Sequence, residues 1–390
     1  MEQLPIMDYV VYAVVWACIG GLPGFYLFAS LSRNPRSGAR LGVVVGLVVG
    51  FGGAFAGLIQ TPQDGVNAAA LVWIAALAVG LIANAAHIGM GTHPATVTMR
   101  QRTADLAYGL LLPTFVIVFA IVVFPMLWNF ILAFRPVRLR DLQDLQLFAL
   151  NDLTLANFDR VLTMRGFTDT LIRTLIYTLL GSVLAIVMGL VAALIVKDKF
   201  RGRNLVRGFM LFPYIAPIVS VVLVWKLMFN AQFGLVNELG VALGGTRIDY
   251  LNTPGVAFTM VILFQAWRYF PFAFLFILAR IQAIPEDMYE AAKVDGAAPS
   301  QRLWYVTLPQ LRAVFGTLFL LRFIWTFNKF DDVFLLTGGA AQTKVITIEV
   351  YDQLFGARNV GTASAVALVL AAVLIVVVAI YFRWFLVEER

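Results

Sequence analysis

Apolar residues in this chain come in long unbroken runs, separated by short polar stretches. A helix needs about 20 mostly apolar residues to cross a bilayer. Nine runs meet that requirement: Tyr9–Leu31, Leu41–Ile59, Ala68–Ala86, Leu106–Phe134, Thr174–Val196, Phe209–Phe229, Val256–Leu278, Val314–Phe330 and Ala363–Phe385. The eighth is interrupted by polar residues. The pattern predicts an all-α polytopic membrane protein of about nine transmembrane helices. The first run is read as a retained span. It is long for the apolar part of a signal peptide, and Glu2 and Asp8 precede it with no Lys or Arg before Arg33.

The polar stretches give an orientation. Arg33, Arg36 and Arg40 follow the first run, Arg100 and Arg102 the third, and Lys197, Lys199, Arg201, Arg203 and Arg207 the fifth. The alternate loops are nearly free of cations: Gln60–Asn67 has none, and Ala231–Thr253 has only Arg247. Basic residues collect on cytoplasmic loops, so the N-terminus is expected outside and the C-terminus inside. The segment Arg135–Arg173 mixes Arg with Asp and is expected to be external. Two regions emerge, an extension with three spans over residues 1–104 and a six-helix core over 105–390.

Composition sharpens the class. Of 390 residues, 61% are apolar and 13% charged, with a mean hydropathy of +0.86. A soluble domain carries about twice that charge, so a soluble enzyme is excluded. The net charge of +7 belongs to membrane loops and not to a nucleic-acid surface. Cys18, His87 and His93 stand alone, without the clustering that metal or thiolate chemistry needs. Gly42, Gly46 and Gly50, followed by Gly53 and Gly57, read as close helix packing. No strand precedes them, so they are not a nucleotide fingerprint.

The loop between the seventh and eighth runs, residues 283–309, has its own logic. Pro285 suits a helix start, and Glu286 and Asp287 favour the positive end of the helix dipole. The spacing predicts a short helix over Asp287–Asp295, stopped by Gly296 in a left-handed C-cap. The chain then turns back through Trp304 and Leu308, and Pro309 opens the next span. A helix this short is marginal alone in water and needs a partner. Ala291 and Ala292 allow close approach, and Glu290 adds a charge. Lys293 faces four acids, Glu286, Asp287, Glu290 and Asp295, which argues against a lipid surface.

Glu290-Ala-Ala-x-x-Asp295-Gly296-Ala297, followed by Leu308-Pro309, resembles the EAA loop in permease subunits of binding-protein-dependent ABC importers. Trp267-x-x-x-Pro271-Phe272, then Leu278-Ala279 and Ile284-Pro285, is similar to the approach to that loop. Phe330-Asp331 with Leu336-Thr337-Gly338-Gly339, and Leu155-Ala-Asn157-Phe158, resemble the sugar-permease branch, in particular the larger permease subunit of maltose-type transporters. The similarity covers about Leu106 to Phe385. Ala340 and Ala341 depart from the branch's usual Gly-Pro continuation, and Arg173 stands where an Asn commonly precedes the Thr.

The resemblance implies a transmembrane permease subunit of an ATP-driven importer. It would form half of a heterodimeric path for a carbohydrate, a di- or oligosaccharide such as an alpha-glucoside. Its partners would be an ABC ATPase dimer, a second permease subunit and a periplasmic or lipid-anchored solute-binding protein, in a bacterial inner membrane. The chain has no G-x-x-x-x-G-K-[ST] loop, so it is not the enzyme; ATP and Mg would be bound by the ATPase. Glu290, Ala291, Ala292, Asp295, Gly296, Ala297, Leu308 and Pro309 would couple to that ATPase. Glu290 would anchor the docked helix, Gly296 would permit the turn, and Asp295 would hold it or simply be a solvated acid.

Polar residues inside spans usually face the interior or a water-filled path, and two groups qualify. One is Gln265, Trp267, Arg268, Tyr269 and Phe272. The other is Trp325, Thr326, Asn328, Lys329, Asp331 and Asp332. Aromatics beside hydrogen-bonding groups suit a sugar. The resemblance implies that Arg268, Tyr269, Phe272, Phe327, Asn328 and Asp331 line the sugar site. Arg268 is open to three roles: binding a hydroxyl, binding an anionic group, or pairing with Asp331 or Asp332. Lys329 is equally able to pair with an Asp. Pro213 and Pro217 are expected to kink the sixth span. The alternative function, an ion-coupled secondary transporter of small polar solutes, calls for internal repeats and a mid-membrane carboxylate. Neither is visible in the sequence.

Overall fold

Pro217 decides the shape of the middle of this chain. Its ring pushes the preceding residue out of the helical region, and Ala216 is extended at φ −62°, ψ 141°. The computed structural model describes residues 117–142 and 153–385, together with Leu111 and Thr114, and is all-helical over them. Where one span was expected over Phe209–Phe229, two helices, Arg203–Ile215 and Ile218–Met228, meet at 96° around Ala216–Pro217. The apolar run is continuous, but apolarity carries no direction. The three expected N-terminal spans, and the boundary at 104/105, lie outside the described residues.

The described residues fall into two compact units that divide after Ala156. In the first, a π-helical turn at Phe119–Val123 leads into α1, Phe124–Ala133. This apolar helix occupies part of the expected span Leu106–Phe134. The chain then makes a single 3₁₀ turn at Leu139–Leu142, where the Arg138 N–H donates to Asp141 Oδ2 at 3.0 Å.

The second unit takes all but the first residue of α2, Ala156–Thr163, and then α3, Phe167–Ile195. The broken pair follows as α4, Arg203–Ile215, and α5, Ile218–Met228, and then comes the short α6, Leu235–Ala242. The long α7 runs over Val256–Gln282, and α8, Glu286–Val294, forms the exposed loop helix. A short turn of helix, α9, Pro299–Arg302, passes through a π-turn at Leu303–Thr307 into α10, Leu308–Phe327. Two short helices, α11, Asp331–Thr337, and α12, Ile346–Tyr351, precede the last span, α13, Val360–Phe385.

Among the described residues four helices are long and apolar enough to cross a membrane, or five if the bent pair counts as one span. Three of them start earlier than expected, α13 by three residues at Val360. Helix α3 begins seven residues before Thr174, after Gly166 in a left-handed turn at φ +81°. The eighth span is one helical run over Pro299–Phe327, so Pro309 does not open it. Pro309 sits instead at the first turn of α10, just after the π-turn. That span also ends at Phe327, three residues before the expected Phe330, and the chain re-forms helix at Asp331.

The core lies between α3 and α7. Gly181, Ala185, Gly189 and Ala193 stand four apart and are buried, a small-residue stripe that lets two helices approach closely. A Cβ on Gly189 would come within 2.7 Å of the Phe274 backbone N and 2.8 Å of Ala273 Cβ. One on Gly181 would collide with Gln265 Oε1. Around this seam Ala192, Ala273, Phe274, Ile277, Leu311 and Leu318 form one apolar cluster. Tyr177, Val222, Val261, Phe264, Val333 and Leu336 form a second.

Candidate functional site

Helix α8 matches its expected form within one residue. Pro285 is its N-cap, and Glu286 and Asp287 fill its first turn. Gly296 takes φ +75°. The Ala297 N–H donates to Ala292 O at 2.8 Å and the Gly296 N–H to Lys293 O at 3.0 Å, the double closure of a Schellman motif. Asp295 contributes its backbone N–H to Ala291 O at 2.9 Å.

This helix buries nothing. Glu290, Ala291, Asp295 and Gly296 are exposed, and Ala292 and Ala297 are half-buried. Val294 is 88% exposed, an apolar residue left in the open. Two contacts hold the base of the rod. Tyr289 Oη and Thr307 Oγ1 share a hydrogen bond at 3.0 Å. Arg280, at the end of α7, donates to Gln310 O at 3.1 Å and to Gln310 Oε1 at 2.8 Å. Leu308 and Pro309 lie in the same clamp, where the π-turn joins α10. The rod is therefore mostly exposed and tied at Tyr289, while Arg280 and Gln310 join the two long helices that flank it.

The second candidate region surrounds Tyr269. Its hydroxyl donates to Asp332 Oδ1 at 3.3 Å. Three cations crowd its ring: the Arg322 guanidinium carbon is 4.4 Å from the centroid, Lys329 Nζ 4.9 Å and the Arg268 guanidinium carbon 5.7 Å. A cation on an aromatic face is attracted by the ring quadrupole, and desolvation strengthens the effect. Lys329 also pairs with Asp331 at 3.3 Å.

Arg268 pairs with neither Asp331 nor Asp332. Its Nη1 donates to Pro213 O at 3.3 Å and to Ala216 O at 3.2 Å. These are carbonyls at the broken end of α4, where the helix leaves acceptors without intrahelical donors. Arg268 thus ties α7 to the break between α4 and α5.

The remaining predicted residues divide. Phe272 joins an aromatic shelf with Tyr214 at 6.4 Å, Trp325 at 5.1 Å and Phe276 at 4.8 Å between ring centroids. Tyr214, Trp325 and Phe276 are 43%, 44% and 50% exposed. Asn328 is exposed and donates to Ile324 O at 2.9 Å. Phe327 is fully buried and stacks on Phe323.

Three side chains escaped the sequence reading. Arg322 is almost fully buried, and its Nη2 donates to Thr326 Oγ1 at 3.1 Å, an oxygen that also accepts from Gln265 Nε2 at 2.8 Å. Its signal was a lone charge in the middle of a span, which on its own merits a functional hypothesis. Tyr214 and the fully buried Tyr177 gave no signal apart from their aromatic character. Toward the end of this region beyond α11, Lys344 bridges Glu349 at 2.7 Å and Asp352 at 2.6 Å. Burial works against its charge, but the two carboxylates outweigh it and hold the ammonium above its ordinary pKa. Among the described residues no His, Cys, Asp and Glu group could hold a metal; Cys18, His87 and His93 lie outside them.

Known proteins similar to this chain match it over these helices. Residues 185–386 match the model of a family described as "Binding-protein-dependent transport system inner membrane component". The chain is 34% identical over 280 residues to the inner membrane ABC transporter permease protein YcjO of Escherichia coli, covering 70% of this chain and 93% of that protein. It is 31% identical over 244 residues to the trehalose/maltose transport system permease protein MalF of Thermococcus litoralis, covering 63% of this chain and 81% of that one. The fold resembles a crystal structure of a bacterial alginate ABC transporter in complex with an alginate pentasaccharide-bound periplasmic protein. The TM-score is 0.62 at 23% identity, over 72% of this chain and 94% of that one.

Proposed function

The chain belongs to the family of binding-protein-dependent transport system inner membrane components, and from that premise we propose that it forms half of the translocation path of an ATP-driven importer for a di- or oligosaccharide such as an alpha-glucoside. As a permease subunit it has no ATPase activity of its own. A partner ATPase dimer would hold the ATP and magnesium, a second permease subunit would complete the path, and an external binding protein would deliver the solute. The N-terminus would lie outside and the C-terminus in the cytoplasm.

One observation carries the coupling role: α8 is a capped rod with no buried residue, tied at Tyr289 to Thr307, between two long helices that Arg280 and Gln310 join to each other. Such a rod suits a cleft in a soluble partner. Ala291 permits close approach, and Glu290 offers a carboxylate for charge-assisted bonds. A partner with two states then gives the membrane part a different energy in each, which is all that coupling requires.

The lever is continuous. A shift of the rod acts on α7 and α10 through the Arg280–Gln310 and Tyr289–Thr307 contacts. Helix α7 carries Arg268, whose bonds reach the break between α4 and α5. It also carries Tyr269, and α10 carries Arg322 above that ring. Motion at the rod therefore reaches the polar cluster and the bend together.

Carbohydrate as cargo is supported by the shelf of Tyr214, Phe272, Phe276 and Trp325, with Asn328 and Asp331 following Trp325 closely in the chain. A sugar ring offers an apolar face to the first group and a rim of hydroxyls to the second. In this reading Arg268, Tyr269 and Asp331 position that rim, and Phe327 shapes the shelf from behind. The test is uptake of a labelled disaccharide by the assembled transporter. Glu290→Ala and Gly296→Val are expected to reduce uptake at least tenfold while membrane insertion is kept. Normal uptake in both variants would refute the coupling role.

A further inference from the structure

The turn between α3 and α4 carries a second charged cluster that transport does not use. Lys197, Lys199, Arg201, Arg203 and Arg207 stand there against a single carboxylate, Asp198. Two of these cations have internal work. Arg203 donates from Nε to Val196 O at 2.7 Å and from Nη2 to Lys197 O at 2.9 Å. Arg207 reaches Val196 O at 3.5 Å. With its amide oxygen turned toward them, Gln282 accepts from Arg207 at 2.7 Å and from Arg203 at 2.8 Å. These bonds cap the carbonyl end of α3, where the helix dipole favours cations, and pin the turn to the end of α7.

The other three are spare. Lys197, Lys199 and Arg201 are exposed, and none is in an ion pair with the described residues. They emerge directly from the end of an apolar span, so they stand at the level of lipid headgroups. Apolar side chains are exposed beside them: Phe200 is 43% exposed, Leu205 65% and Phe209 71%. An open cleft of about 430 Å³ between the two sets is lined by Lys199, Phe200, Gly202, Arg203, Asn204 and Leu205.

We propose that this turn is a binding site for the headgroup of an acidic phospholipid, with the phosphate among Lys199, Arg201 and Lys197 and the acyl chain along Phe200, Leu205 and Phe209. Charge and apolar surface occur in the order that such a lipid presents them. A zwitterionic headgroup would bring its ammonium into a field of five cations and be disfavoured. Free phosphate would satisfy the cations and leave the exposed apolar row without a purpose. Clusters of Lys and Arg at the end of a span attract acidic lipid by the same physics. The internal bonds of Arg203 and Arg207 hold the site in shape before any lipid arrives.

The site is tested on the full-length chain in nanodiscs containing equal phosphatidylglycerol and phosphatidylcholine, with the lipids retained on the protein read by native mass spectrometry. The wild type is expected to retain phosphatidylglycerol at least fivefold over phosphatidylcholine. K197Q/K199Q/R201Q, which leaves the cap of α3 intact, is expected to lose that preference. K293Q removes an exposed cation elsewhere and is expected to keep it. Equal retention of both lipids by the wild type, or an unchanged preference in the triple variant, would overturn the proposal. Displacement of the lipid by millimolar inorganic phosphate would assign the site to free phosphate and overturn it as well. A protein partner released by the triple variant, with lipid preference unchanged, would do the same in favour of a protein interface.

Discussion

Tyr269 and Asp332, 63 residues apart, meet where the Tyr269 hydroxyl donates to Asp332 Oδ1 at 3.3 Å. The relation matters because Asp332 is fully buried and its Oδ2 has no partner among the described residues. Among the described residues the Tyr269 phenol is the one neutral donor to this carboxylate, while its ring faces Arg322 and Lys329. Tyr269 serves both charges at once, through the edge of its hydroxyl and the face of its ring.

Tyr269→Phe removes the donor and keeps the ring. Leaving a buried acceptor unsatisfied costs about 1–3 kcal/mol, so the variant should unfold at lower temperature in detergent. Asp332→Asn in the same background should recover part of the loss. A double-mutant cycle measures the coupling, and strictly additive effects of the two changes would show that the bond does not contribute.

Arg268→Ala should loosen the bend between α4 and α5. It takes the donor from Pro213 O and Ala216 O, and leaving the buried Pro213 carbonyl unsatisfied costs about 1–3 kcal/mol. Paired cysteines on either side of Ala216 report on the bend by spin-label distance. A broadened distribution is expected, and an unchanged one would mean that Pro217 alone sets the angle.

Gly189→Ala should destabilise the chain through the α3–α7 seam. Its new methyl would stand 2.7 Å from the Phe274 N and 2.8 Å from Ala273 Cβ, and overpacking of this kind costs about 1–3 kcal/mol. Gly208→Ala on α4 meets nothing within 4 Å, and the better helix propensity of Ala favours it by up to about 1 kcal/mol. Thermal unfolding of the two variants should therefore move in opposite directions.

The contrast between these positions shows what was legible in the sequence. The runs at Thr174–Val196, Val256–Leu278 and Ala363–Phe385 became helices, because 20 apolar residues leave a chain in lipid no other way to satisfy its backbone. The rod at Glu286–Val294 was legible because Pro285, the acids of its first turn and Gly296 each act locally. The break at Ala216 was hidden within a uniform apolar run, and only the two prolines hinted at it. The stripe Gly181, Ala185, Gly189 and Ala193 has its period written in the sequence, but nothing local names α7 as the helix it approaches. Arg322 is harder still, since a single charge in a span becomes meaningful only when the ring of Tyr269, 53 residues earlier in the chain, is found against it. Phe327 and Asn328 are neighbours that diverge, one fully buried and one exposed, and only the phase of α10 separates them.

Ala291→Cys in a chain with Cys18→Ser tests the exposed rod directly. The reporter sits on an exposed face of α8 and is the only thiol left. Crosslinking in intact membranes with the co-expressed ATPase subunit is the measurement. The predicted result is a specific adduct to the ATPase whose yield changes between the nucleotide-free and ATP-bound states. Adducts to lipid alone, or labelling of the cysteine by an impermeant reagent from outside the cell, would contradict the account.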